Sequence, residues 1–310
     1  MTRFKARVGI IGTGWVGTSV AFSTLLAGHA REMWLHDQRE AVAEGEAMDL
    51  ADGAAFYPRC EVRAVPLAQM READIVVLAA GRNGRPDESR LDLLRDNARI
   101  AAGLGRSLAG SNAIVIIVTN PVDVLTRVVQ AASGLPPERV IGTGTMLDTA
   151  RLRERLALHL KVAPQSVHAQ VVGEHGDSSV VLWSGAQVGG VPLRDWPGWP
   201  ADEEPTVAGH VRRAAYDVIQ RKGATNHAIG LVTTELIGAI VNDERRLLPV
   251  SRVQAGACGV RGVALSLPTL VGAGGAVHVL EPAMDAAERV ALAASGAVLE
   301  RAFASLAAAG

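Results

Sequence analysis

Short apolar runs recur through the first half of the chain, and each ends in glycine or polar residues. Stretches with helix-forming composition separate the runs. This alternation predicts a parallel β-sheet covered by helices, because a parallel strand needs a crossover connection to reach the next one. The predicted strands are residues 7–11, 32–36, 74–80 and 113–119, and the predicted helices are residues 18–27, 39–52, 91–108 and 122–132.

Beyond residue 145 the pattern becomes less regular. A long helix is predicted at 148–160, and short strands are predicted at 168–172 and 180–188. The sequence therefore predicts two domains, a parallel-sheet domain at 1–145 and an α+β domain at 146–310. Prolines and tryptophans at 195–205 predict an exposed connector, and the alanine-rich end, 283–309, predicts a packing helix.

The composition mainly excludes classes of partner and of site. The 310 residues include 31 Lys and Arg and 32 Asp and Glu, so no overall positive field exists for nucleic acid or an anionic membrane. No run of 18 apolar residues predicts a membrane span. The first residues lead into a strand without a secretory signal pattern, so we expect a cytoplasmic protein. Cys60 and Cys258 fit neither a disulfide framework nor a metal-ligand spacing, so we expect free thiols and no metal.

A glycine motif follows the first predicted strand. Gly12, Gly14 and Gly17 match GxGxxG and open the first predicted helix, where backbone N–H groups approach a pyrophosphate. Asp37 ends the next strand, where a carboxylate binds ribose hydroxyls and repels a 2′-phosphate. The sequence thus predicts a Rossmann-type doubly wound sheet that binds NAD rather than NADP. The predicted cofactor-binding residues of this region are Gly12, Gly14, Trp15, Val16, Gly17 and Asp37.

Three residues of the second half are candidates for chemistry. His175 lies between glycines after an apolar run, which suits a ligand-facing imidazole, although a core histidine is the ordinary interpretation. Asp148 opens a predicted helix, where it either orients an imidazole or caps the helix. Arg151 faces the same side of that helix and suits a substrate carboxylate, or it is a surface arginine.

Two further segments follow predicted strands. Residues 81–90 are too polar for a core and predict a mobile lid with Arg90 at its end, or else a solvated loop. Asn120, followed by Pro121, lies at the carboxyl end of a strand, where open α/β sheets bind ligands; an Asn-Pro turn is the alternative.

In their order along nearly the whole chain, these residues resemble the L-lactate/L-malate dehydrogenase family, in particular its bacterial L-lactate dehydrogenases. The resemblance implies a C-terminal substrate domain and a small 2-oxo or 2-hydroxy acid as substrate. It implies that His175 donates and accepts the proton, Asp148 orients it, Arg151 binds the substrate carboxylate and Arg90 polarises the carbonyl. Asn120 would hydrogen-bond the substrate oxygen, and the Asn120–Pro121 peptide bond would be cis.

The resemblance extends to further residues. Thr225 matches the lactate-type threonine of the substrate pocket, and Ile229 matches the residue that lines the nicotinamide. Arg153 and His168 fall where allosteric bacterial members bind fructose 1,6-bisphosphate across a subunit interface, and both side chains suit a phosphate. The resemblance also implies a homotetramer.

One position departs from the family pattern. Six residues before the lid arginine, lactate enzymes carry glutamine and malate enzymes carry arginine, but this chain has Gly84. Three substrates follow: pyruvate, oxaloacetate if Arg82 or Arg85 enters the site, or a bulkier 2-oxo acid. Thr225 favours pyruvate and L-lactate, and Asp87 opposes a dicarboxylate.

Two other classes of protein are possible on a fold of this kind. A non-catalytic NAD-binding protein on this fold would lack a residue such as His175 or Arg151, yet both are present. A nucleotide hydrolase would need a P-loop lysine motif or a metal cluster, which the sequence does not show.

Overall fold

The structure, a computed structural model, describes residues 6–82, 84 and 88–307, the side chains of Arg90 and Ala307 excepted. In its first half, strands alternate with helices as the apolar pattern predicts. The elements are β1 (Ala6–Ile11), α1 (Trp15–Ala27), β2 (Ala30–His36), α2 (Glu40–Asp52), β3 (Glu61–Ala64), β4 (Ile75–Leu78), α3 (Arg90–Ser107), β5 (Ile114–Ile117), α4 (Val122–Ser133) and β6 (Val140–Gly142).

These strands form a parallel sheet in the order β3-β2-β1-β4-β5-β6. The chain winds outward in both directions from β1, so a crevice opens between β1 and β4 at the carboxyl ends of the strands. Every residue of β4 and β5 is buried, because helices cover both faces of the sheet. The predicted Rossmann-type architecture is confirmed.

The second half of the described chain combines long helices with short antiparallel strand pairs. Its helices and strands are α5 (Met146–Leu160), β7 (Val167–His168), β8 (Val171–Val172), β9 (Val180–Val181), β10 (Gln187–Val188), β11 (Val191–Pro192), α6 (Glu204–Lys222), α7 (His227–Val241), β12 (Arg246–Ala255), β13 (Arg261–Gly272), β14 (Gly275–Val279) and α8 (Ala286–Ala307).

The strands of the second half differ from the prediction in two respects. Strands β12, β13 and β14 extend the parallel sheet, because Ser251 of β12 pairs antiparallel with Gly142 of β6. Each strand predicted at 168–172 and 180–188 is two shorter strands. The split has a pairing reason, since β7 pairs with β10 whereas β8 pairs with β9.

The connector at 195–205 is not wholly exposed, which corrects the prediction for Trp199. Its side chain packs in a core cluster with residues of α5 and α6 and keeps only 8% of its accessible surface. The ring centroid lies 5.2 Å from that of His159 and 6.2 Å from that of Trp183. Burial of an indole of this size stabilises the fold more than exposure on a connector would.

Helices α1 and α7 join the two halves of the chain beside the crevice. A Cβ on Gly230 of α7 would lie 2.8 Å from the carbonyl oxygen of Ser19 on α1, so glycine permits the close approach. The hydroxyls of Thr24 and Thr234 are hydrogen-bonded at 3.1 Å in the same interface. This contact brings the first turn of α7 next to the glycine motif.

Candidate active site

In the turn between β1 and α1, glycines allow close contacts between backbone segments. The turn also leaves open space at the N-terminus of α1. Gly12 has a φ of +96°, and its N–H donates to the carbonyl oxygen of His36 at 2.7 Å. A Cβ on Gly17 would overlap the carbonyl oxygen of Gly12. Gly14 has ordinary backbone angles, and nothing described lies within 4 Å of the position of a Cβ. Glycine at this position leaves room for a phosphate at the N-terminus of α1.

Asp37 follows β2 and is oriented by the same turn. Its Oδ2 accepts the N–H of Thr13 at 3.0 Å, and its Oδ1 accepts the N–H of Arg39 at 3.0 Å. The carboxylate lines a cavity of about 160 Å³ that extends to α2 and Pro66. This position fits a ribose whose phosphates lie at Gly14. Trp15, in the same motif, is exposed, whereas Val16 lines the larger cavity described below.

His175 and Asp148 are paired in the structure, which favours an imidazole-orienting role for Asp148 over a helix cap alone. His175 lies on the loop between β8 and β9, and its Nδ1 is 2.5 Å from Oδ2 of Asp148 in the first turn of α5. Arg151 donates from Nη1 to Oδ1 of the same carboxylate at 3.3 Å. Asp148 therefore bridges both side chains. Because Nδ1 faces the carboxylate, Nε2 is the nitrogen left for a substrate.

The surroundings of His175 favour its protonated form. Burial lowers the pKa of His175, and Arg151 lowers it further. The charge and hydrogen bond of Asp148, together with the charge of Asp123, outweigh these effects and raise the pKa above its ordinary value. A general acid at neutral pH needs such a shift.

Residues predicted from distant parts of the sequence line one cavity of about 470 Å³ between the two halves of the chain. The Asn120–Pro121 bond is cis, as expected, and Oδ1 of Asn120 accepts the N–H of Val122 at 3.3 Å. The predicted residues that line the cavity are Val16, Gly84, Asn120, Arg151, His175, Thr225 and Ile229.

The segment predicted as a lid is described only in part. Arg90 begins α3, and Ser89 caps that helix by accepting the N–H of Asp92 at 3.1 Å. The side chain of Arg90 lies outside the described residues. So do Arg85 and Asp87, which entered the substrate hypotheses.

Arg82 lines the same cavity and is held by two carboxylates. Its Nη1 donates to Glu88 at 2.6 Å, and its Nε donates to Asp96 at 3.0 Å. The hydrogen bond with Glu88, followed by that with Asp96, raises the pKa of the Arg82 guanidinium. The charge of Arg82 is thus largely compensated.

Two residues that no sequence motif indicated hold the His175 loop. Oδ2 of Asp123, on α4, accepts the N–H of His175 at 2.7 Å. Oγ of Ser295, on α8, accepts the N–H of Glu174 at 2.9 Å. Asp123 carried a detectable signal, because an acidic residue within an apolar helix-forming segment requires a partner if it is buried.

The candidate effector residues lie beside one another. Nε of Arg153 donates to the carbonyl oxygen of Ala169, at 3.0 Å, directly after the exposed His168. Burial lowers the pKa of Arg153, and the neighbouring charge of Arg246 lowers it further. An anion at this surface would relieve that repulsion.

Both halves of the chain match models of one family. Residues 6–142 match the NAD-binding domain of lactate/malate dehydrogenases, and residues 145–309 match the alpha/beta C-terminal domain of the same enzymes. The chain belongs to the lactate/malate dehydrogenase family. As a member of that family it is an oxidoreductase whose cofactor is NAD, in agreement with the glycine turn and Asp37.

Known family members match nearly the full length. The chain is 44% identical to L-lactate dehydrogenase of Thermus aquaticus, covering 97% of this chain and 99% of that protein. It is 41% identical to L-lactate dehydrogenase 2 of Enterococcus faecalis, with 99% of each covered. The ligand-bound crystal structure of minor L-lactate dehydrogenase from Enterococcus mundtii superposes with a TM-score of 0.94 at 37% identity, covering 98% of this chain and 99% of that one.

These findings fix the class of partner, a small-molecule substrate of a dehydrogenase. No helix in the described part of the chain is long and apolar enough to cross a membrane. Within the same residues, no group of three or more His, Cys, Asp and Glu side chains is placed to hold a metal ion.

Proposed function

We propose that this dehydrogenase interconverts pyruvate and L-lactate with NAD. The observation that carries the proposal is the His175–Asp148 pair at 2.5 Å, with Arg151 on the same carboxylate, in a cavity that reaches the glycine motif through Val16. The relatives described above, which are named L-lactate dehydrogenases, support this choice of substrate.

Each side chain has a role that follows from its position. NAD, when bound along the glycine turn, supplies the hydride chemistry. The guanidinium of Arg151 binds the substrate carboxylate, since its planar fork suits two parallel hydrogen bonds. Nε2 of His175 gives a proton to the 2-oxygen during reduction and takes it back during oxidation, while Asp148 holds Nδ1.

Four further residues complete the proposed site. Asn120 hydrogen-bonds the substrate oxygen, and Thr225 borders the substrate methyl group. Ile229 contacts the nicotinamide from the first turn of α7. Arg90 stabilises charge that develops on the 2-oxygen, which is its role by family resemblance.

The ion pairs of Arg82 favour pyruvate over oxaloacetate. A second carboxylate on the substrate needs a cation that is not already neutralised. Arg82 lines the cavity, but Glu88 and Asp96 occupy its guanidinium. Gly84 leaves that side of the cavity without a side chain, so a bulkier 2-oxo acid is the competing substrate.

The decisive assay compares kcat/KM for NADH oxidation with pyruvate, oxaloacetate, 2-oxoisocaproate and phenylpyruvate. We expect pyruvate to give the highest value. A higher value with oxaloacetate or with either bulky acid would refute lactate specificity. Absence of turnover with all four acids would refute the proposed dehydrogenase activity.

Regulation and assembly form a second part of the proposal. Binding of fructose 1,6-bisphosphate is supported by Arg153 and His168. The charge of Arg246, which acts on Arg153, supports it further. Phe22, Leu26 and Leu231 on α1 and α7 are each more than half exposed, which supports burial between subunits of a homotetramer. Measuring activation by the bisphosphate tests the effector site, and light-scattering mass measurements test the homotetramer. A cytoplasmic location and a domain boundary near residue 145 likewise remain predictions.

A further inference from the structure

Asp123 is a buried carboxylate for which the proposed reaction has no role so far. It lies in the first turn of α4, and only 2% of its surface is accessible. Oδ2 accepts the backbone N–H of His175 at 2.7 Å. Oδ1 is buried and makes no hydrogen bond of full geometry with any described residue; the hydroxyl of Ser251 is the neighbouring side-chain donor that acts on the carboxylate. One carboxylate oxygen therefore holds the catalytic loop, and the other has no well-formed hydrogen bond.

Holding the loop in place does not require a charge. Oγ of Ser295, a neutral acceptor, holds the adjacent N–H of Glu174 at 2.9 Å. An asparagine at position 123 would accept from His175 in the same way, with an amide of nearly the same size. Geometry alone therefore explains an acceptor at position 123, but not an acid.

An ionised carboxyl group at position 123 lowers the stability of the folded chain. Burial raises the pKa of Asp123 to about 6, against the opposing hydrogen bonds of the Ser251 hydroxyl and the His175 backbone and the charge of His175. A carboxyl group whose pKa is higher in the folded than in the unfolded chain lowers stability once it ionises, here as the pH rises through about 6. Destabilising charges of this kind concentrate at functional sites.

We propose that Asp123 is a second carboxylate partner of His175, a positioning residue that fixes its backbone and stabilises its protonated imidazole alongside Asp148. The inference rests on the proposed role of His175 as proton donor. Asp148 acts on the ring through Nδ1, whereas Asp123 acts through the main chain and through its charge. The charged groups that act on His175 are Asp148 and Arg151 from α5 and Asp123 from α4, and Glu174 of the His175 loop acts on Asp123.

The test is the variant Asp123→Asn, which keeps the hydrogen-bond acceptor and removes the charge. During pyruvate reduction His175 must be protonated, so kcat/KM falls as pH rises through its pKa. Loss of the Asp123 charge moves that fall to lower pH by about half a unit or more, and reduces kcat/KM several-fold near pH 8. The dissociation constant for NADH stays the same. The melting temperature at pH 8 stays the same or rises, because a buried charge is gone.

Ser295→Ala is the matched control. It removes the hydrogen bond to the N–H of Glu174 without changing charge, so its pH profile matches that of the parent protein, whatever its turnover. An unchanged pH profile in Asp123→Asn would overturn the inference. Equal shifts in both variants would also overturn it, because loop geometry would then explain the effect.

A readout independent of turnover separates this inference from the proposed function. The imidazole of His175 is titrated by NMR, and its signal is assigned by its loss in His175→Gln. A lower pKa in Asp123→Asn supports the inference even if no 2-oxo acid is reduced. An unchanged titration refutes it even if pyruvate is the best substrate.

Discussion

Replacing Asp148 by asparagine tests the pair on which the proposed chemistry depends. The amide keeps the size of the side chain and one oxygen, but it removes the charge 2.5 Å from Nδ1 of His175. It also removes the negative partner of Arg151, whose Nη1 lies 3.3 Å from Oδ1. The expected loss is therefore electrostatic rather than steric.

The Coulomb energy of a close ion pair sets an upper limit on the loss. Two unit charges about 4 Å apart interact by about 4 kcal/mol at an effective dielectric of about 20, which corresponds to a ceiling of roughly 10³-fold in rate. Remaining water and the charge of Asp123 reduce this value, so we expect kcat to fall by roughly 10²-fold. Because Asp148 raises the pKa of His175, the variant also loses pyruvate reduction at a lower pH than the parent protein.

The assay follows NADH oxidation with saturating pyruvate between about pH 5.5 and 9. The control is Asp177→Asn, which removes an exposed carboxylate from the same loop and should change kcat less than about twofold. An Asp148→Asn enzyme that keeps more than about a third of the parent kcat and the parent pH profile would refute the assigned role.

Two further predictions concern substrate choice. Gly84→Gln should raise the preference for pyruvate over phenylpyruvate by roughly tenfold, because the new side chain fills the cavity and its Cβ would meet only the end of Leu93, at 3.2 Å. Ratios of kcat/KM measure this, and an unchanged ratio would mean that residue 84 does not border the substrate. The double variant Glu88→Gln, Asp96→Asn should raise kcat/KM for oxaloacetate relative to pyruvate by several-fold, because it removes two carboxylates that neutralise the charge of Arg82. Adding Arg82→Gln must abolish that gain, and a gain that persists would contradict the explanation.

Elements with strong local signals were predictable from the sequence. The segment β1-α1-β2 combines apolar strands with a glycine motif whose steric demands are local, so the prediction of its fold is confirmed. Strands β12 and β13 were missed, although most of their residues are buried. Each contains a proline, which argues against a strand. Pro249 and Pro268 lie opposite each other in register, so tertiary pairing overrides the local preference.

The residues of the proposed site were more predictable than their partners. His175 and Asp148 are 27 positions apart, and the pairing was only one of two interpretations until the fold brought β8 and α5 together. Asp123, 52 positions from His175, belongs to no motif, and its acidity within an apolar segment does not indicate which residue it binds. Contacts of this kind depend on which strand ends meet at one edge of the sheet, and spacing along the chain does not contain that information.

Arg82 shows why specificity is harder to predict than chemistry. In the sequence it was a cation available for a second substrate carboxylate. In the structure, Glu88 and Asp96, only 6 and 14 positions further on, compensate that cation. The composition of the segment includes the cation of Arg82, but its pairing with the two carboxylates lowers the positive charge available to a ligand. The hydride-transfer machinery follows from which residues are present, whereas the choice among 2-oxo acids follows from which of those residues are already paired.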